Sequence, residues 1–158
     1  MENIAAKANF LKHGYVNLLT TIDPDTKGAW GKMNVHQMIE HMSYSFRQAS
    51  GKDKYTLVTP EDNVPKMQAF LMSEKPFREN TPNVLIGDNT IPVAHAAISD
   101  SITELQAEID HFFEVYKDAG KTITNPFFGN LNYEMQVQLL HKHALHHLKQ
   151  FGVEVPAT

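Results

Sequence analysis

Four histidines crowd into seven residues, His141, His143, His146 and His147, in a chain with nine histidines and no cysteine. The absence of cysteine removes disulfides, thiolate catalysis and thiolate ligation together, so any transition-metal site must draw on His, Asp, Glu or water. His143 and His147 stand four apart. On a helix that spacing places two imidazoles one turn apart on the same face, the geometry by which a helical His-x-x-x-His pair holds a divalent ion.

A helical wheel sorts the remaining histidines. With Met135 at zero and ~100° per residue, Met135, Val137, Leu139, Leu140, Ala144, Leu148 and Phe151 cover an arc of roughly 220°, and His143 and His147 fall near its middle. Gln136, His143, His147 and Gln150 form a polar stripe flanked by apolar residues, and burial obliges such groups to find partners. A metal satisfies both imidazoles, but so does water or a neighbouring helix, and the pair alone does not decide between them. His141 turns toward Gln138, Lys142 and Lys149, and His146 lies away from the apolar face.

Three protein ligands with open positions define a reactive metal site, so a third ligand has to come from another helix. Asn34 followed three residues later by Gln37 is a capping-box pattern, which predicts a helix from Asn34 to about Ala49, closed by Ser50-Gly51. Its apolar positions are Val35, Met38, Ile39, Met42, Phe46 and Ala49, and His36, Glu40 and Arg47 mark a solvent side, with His36 on the surface. His41 sits at the edge of the apolar face beside Gln37, Tyr44 and Gln48, either as a boundary residue or turned toward the last helix. His111 is expected in solvent, and His13 and His95 have no evident partner.

The elements that must position these residues are helical. Residues 3–22 repeat apolar side chains at helical period (Ile4, Leu11, Tyr15, Leu18, Leu19, Ile22) until Asp23-Pro24-Asp25. Ser101 and Glu104 form a second capping-box pattern ahead of Ile102, Leu105, Ile109, Phe112, Phe113 and Tyr116, a third helix ending near Ala119-Gly120. Residues 125–129 read as a turn, after which Asn132 caps a final helix reaching Gly152. Residues 51–97 hold five of the eight prolines and short apolar runs such as Met67 to Met72, and read as a long connection with one short helix, running over the bundle rather than into its core. Four amphipathic helices and no strand series predict an all-α fold, a four-helix bundle with a long crossover between its second and third helices.

Length and composition set the outer limits. The 158 residues suit a single domain, 1–158, and 42% hydrophobic with 20% charged residues is ordinary for a globular chain. A net charge of −4 without a Lys/Arg cluster argues against nucleic acid as a partner. Neither a secretory signal nor a membrane span is evident, so no membrane partner and a cytoplasmic location are expected.

Two separated stretches resemble a known family. Trp30 through Met42 (WGKMNVHQMIEHM) resembles the second-helix signature of the DinB/YfiT-like superfamily, and Asn125-Pro126-Phe127-Phe128-Gly129 with His143 to Gly152 (HALHHLKQFG) resembles its C-terminal motif, His-x-x-His-His-x-x-Gln. The closer likeness is to an uncharacterised branch, from which the chain departs by Asn125-Pro126 in place of His-Pro. The resemblance implies a DinB-like four-helix bundle with metal ligands His41, His143 and His147. It also implies a divalent ion (Zn, Ni, Fe or Mn, since imidazole accepts each) and, as in some relatives, a low-molecular-weight thiol as cosubstrate.

The expected function is that of a metal-dependent enzyme acting on a small-molecule substrate, a thiol S-transferase or a hydrolase. A divalent ion lowers the pKa of a bound water toward ~7 or stabilises a thiolate. No Glu follows His143 as in His-Glu-x-x-His, so the general base of that metalloprotease motif is missing and thiol transfer gains weight. The alternative is a non-catalytic metal- or ligand-binding bundle, a stress-related or sensing module; a homodimer fits either reading. Because imidazole ligates only when neutral, binding is expected to weaken below the ~6.5 of free histidine.

Overall fold

Asn34 starts the first of the two helices that carry His41, His143 and His147. Its Oδ1 accepts from the backbone N–H of Gln37 at 2.7 Å and the Gln37 side chain accepts from the backbone N–H of Asn34 at 2.9 Å, so two otherwise orphaned donors are satisfied. In the computed structural model, which describes residues 3–79, 90–118 and 120–155, the chain is mostly helical with one small two-stranded sheet. The helices are α1 (Ile4–His13), α2 (Tyr15–Leu19), α3 (Val35–Ser50), α4 (Val64–Met72), α5 (Ile98–Val115) and α6 (Tyr133–Gln150). Strands β1 (Ile123–Asn125) and β2 (Gly129–Leu131) form an antiparallel hairpin between α5 and α6.

Helix α3 ends at Gly51, whose φ of 80° is the left-handed conformation that glycine adopts without steric cost. Helix α6 opens on Asn132, whose side chain accepts from the Met135 N–H at 3.0 Å. Val35, Met38, Ile39, Met42 and Phe46 of α3 pack with Leu105, Ile109 and Phe112 of α5, with Val137, Leu140, Ala144 and Leu148 of α6, and with Leu11, Tyr15 and Leu19 of α1 and α2. Phe46 and Phe112 meet edge to face, with ring centroids 5.9 Å apart. Among the described residues no helix is long and apolar enough to cross a membrane.

Several boundaries differ from the expectation. The first helix is broken at Gly14, where a residue without a Cβ favours the helix least among the non-prolines. Helix α5 begins three residues before Ser101 and ends at Val115; its N-cap is Ala97, whose methyl side chain cannot cap it, and Ser101 lies inside the helix, where its hydroxyl donates at 2.7 Å to Glu40 on α3. Ala119 lies outside the described residues. The turn at 125–129 is the loop of the hairpin: Asn125 Oδ1 accepts from the backbone N–H groups of Phe127 and Phe128, and its Nδ2 donates to Gln48.

The 51–97 connection, of which residues 80–89 lie outside the described set, does more than run over the core. Leu71 of α4 is fully buried with Phe128, Leu131 and Leu139, a second apolar cluster built jointly with the hairpin and α6. The polar side of α3 likewise faces protein rather than solvent. Glu40 accepts from the backbone N–H groups of Ala94 and His95 and from Ser101, half-buried His36 lies 2.8 Å from the Ser101 hydroxyl, and Arg47 bridges Asp53 and Glu108.

Candidate metal centre

The i, i+4 spacing on α6 sets His143 and His147 side by side, with ring centroids 4.7 Å apart. Across from them α3 presents His41, 4.9 Å from the His143 ring and 5.0 Å from the His147 ring, nearly perpendicular to both. Nε2 of His143 lies 3.0 Å from Nε2 of His41 and 2.9 Å from Nε2 of His147. One nitrogen of each ring lies within 4.8 Å of the others, and among the described residues this is the group of three or more metal-ligating side chains that could hold an ion.

Burial sets the protonation of these rings. Desolvation, helped by the charge of His146, pushes His41 down to about 4, and desolvation first and neighbouring histidines second push His143 and His147 well below the ordinary histidine value. All three are neutral at pH 7. On two of the rings the nitrogen that faces away from the centre has an oxygen partner: His147 Nδ1 lies 2.7 Å from Gln150 Oε1, and His143 Nδ1 lies 3.3 Å from Ser45 Oγ. The Ser45 hydroxyl donates to the His41 carbonyl at 3.1 Å, so toward His143 it acts as an acceptor.

The triad therefore has nitrogen facing nitrogen, with acceptors drawing protons to the outer side of at least two rings. Protons are poor company for this arrangement, because all three rings resist protonation. A divalent transition-metal ion fits the three imidazoles, and the outer partners of His143 and His147 orient those two rings as second contacts do in metal sites.

The other histidines go elsewhere. His146 packs against His147 at 5.0 Å and against Trp30 at 5.2 Å but is not one of the converging three. His95 pairs with Glu104 at 2.6 Å, a partner that the sequence did not suggest, and His111 and His13 are exposed. His141 is buried rather than on an open polar side, edge-on to Phe10.

Two contributors escaped the sequence reading. Ser45 lies four residues after His41, a signal that was available. Phe77, from the connection, sets its ring edge-on to His143 and His146 at 6.0 and 5.9 Å, and no local pattern announces it. Comparison of the chain with models of known families, with curated proteins and with solved structures finds no match.

Proposed function

We propose that the chain is a DinB/YfiT-like four-helix bundle in which His41, His143 and His147 hold one divalent ion, and that it is a metal-dependent enzyme of the thiol S-transferase or hydrolase type acting on a small molecule. The observation that carries the reading is the convergence of three desolvated imidazole nitrogens from α3 and α6. The packing of α1 with α2, α3, α5 and α6 around one apolar cluster supports the bundle. When bound, the ion supplies Lewis acidity toward a water or a thiol.

The chain's own residues favour the thiol route. A hydrolase of the metalloprotease kind needs a carboxylate to take a proton, and the neighbouring candidate, Glu40, is only 5% exposed and already accepts three hydrogen bonds from Ala94, His95 and Ser101. The half-buried ring of Phe77 stands edge-on to one flank of His143, an apolar neighbour for a bound thiol.

The test is to load the protein with Zn, Ni, Fe or Mn and screen glutathione, bacillithiol and mycothiol against a panel of electrophiles. Saturable thioether formation is expected. Ester or amide turnover without thiol would select the hydrolase, stoichiometric metal without turnover the non-catalytic module, and failure to take up any metal would sink the reading.

A further inference from the structure

The residue behind His147 is unusually constrained. Gln150 is 3% exposed, and its side-chain amide bridges two groups: Nε2 lies 2.8 Å from the carbonyl oxygen of Trp30, and Oε1 lies 2.7 Å from Nδ1 of His147. A carbonyl only accepts, so the amide NH2 must face Trp30 and the amide oxygen must face His147. That oxygen can only accept. His147 Nδ1 therefore carries a proton, and because a neutral imidazole has one N–H, Nε2 is left as a bare lone pair toward the centre.

The loop from Gly28 to Gly31 prevents the amide from turning over. The backbone N–H of Ala29 donates to the Gln150 carbonyl at 2.8 Å, tying the loop to the end of α6. A Cβ on Gly28 would stand 3.2 Å from Cγ of Gln150 and 2.8 Å from the Trp30 oxygen. A Cβ on Gly31, which has a φ of 75°, would stand 3.0 Å from Gln150 Nε2. Two glycines are what let the loop close on the amide.

We propose that Gln150, clamped by the Gly28–Gly31 loop, is a positioning residue that sets the tautomer of His147 and so its strength as a ligand. The loop acts on the centre through Gln150, whose amide oxygen meets the outward Nδ1 of His147. The metal half of this inference rests on the proposed function; the tautomer half does not.

The two halves are read separately on the full chain. Long-range proton–nitrogen spectra of the metal-free protein should show His147 protonated on Nδ1, Gln150→Leu should shift it toward the Nε2 tautomer, and Gln150→Glu, which keeps an acceptor at that place, should restore Nδ1–H. Gly31→Ala, a milder change of the clamp, should shift the tautomer in the same direction by less. Zinc affinity measured by chelator competition should fall about 10- to 100-fold in Gln150→Leu and recover most of that in Gln150→Glu. An Nε2–H tautomer in the wild type, or unchanged tautomer and affinity in Gln150→Leu, overturns the proposal. The expected tautomer shift in a protein that binds no zinc supports the role of Gln150 and overturns the metal reading instead.

Discussion

Helix α6 buries polar side chains on two faces, and the two solve opposite problems. On one, Lys7 Nζ donates to both oxygens of Glu74 at 2.8 and 3.0 Å and to Gln138 Oε1 at 2.8 Å. Gln138 Nε2 donates to the Ser73 carbonyl, and Lys142 donates to the carbonyls of Ser73 and Lys75. Donor meets acceptor throughout, apart from the unpartnered Nε2 of buried His141. On the other face nitrogen meets nitrogen among His41, His143 and His147. Burial does not separate the two faces; pairing does, since the lysine face is complementary within itself, whereas the histidine face, with His147 buried and His41 and His143 half-buried, sets nitrogen against nitrogen.

Breaking the histidine face should have the largest effect. His143→Ala or His147→Ala should abolish divalent-ion binding in a calorimetric titration, whereas His146→Ala, His36→Ala and His111→Ala should leave it nearly intact. Equal losses for His146→Ala and His147→Ala would show that the inward nitrogens have been assigned to the wrong ring.

Acid should distinguish metal-free stability from metal affinity. Histidine in the unfolded chain titrates near ~6.5, while burial holds His41 and His141 at about 4 in the fold. Between those values the unfolded chain binds more protons, so stability rises with pH across this window and is complete above it. Denaturant melts of metal-free protein should lose on the order of 3 kcal/mol from His41 alone between pH 6.5 and 4. The same burial moves the onset of proton competition for the metal below the free-histidine value expected from sequence; affinity that already falls steeply at pH 6 would contradict these desolvated rings.

The lysine face should respond in stability only. Lys142→Met leaves the carbonyls of Ser73 and Lys75 without this donor and should cost about 1–3 kcal/mol, with metal affinity unchanged. If affinity falls with it, the two faces are coupled through the segment leading to Phe77. The smallest effect belongs to the caps: Asn132→Ala should cost about 1 kcal/mol in thermal or chemical melts and leave affinity alone.

What was legible in the sequence follows from the range of the interactions. The caps at Asn34 and Asn132 act within one turn, and both helices start where the pattern placed them. The three convergent histidines lay on strongly periodic helices, with resemblance supplying His41 as the third. Ser101 satisfied the same local capping pattern, but its hydroxyl serves Glu40 on another helix, which no window along α5 can reveal. A wheel likewise put Glu40 and Arg47 in solvent and His141 on an open polar side, because it cannot see the segments at Ser73 and Ala94 or the edge of α5 that cover them. Strands of three residues are too short for a period of two to register, so the hairpin went unread.

His41 and His143 are separated by 102 positions along the chain. An ion held between them would act as a removable crosslink closing a loop that spans most of the protein, and the entropy of such closure grows only with the logarithm of loop length, as (3/2)RT ln n plus a constant. The ligands come together only after α3 and α6 have docked, so the affinity for the ion would contain the free energy of assembling the fold. Chelation would then loosen the whole chain as well as empty a site, and the melting temperature would rise with metal concentration.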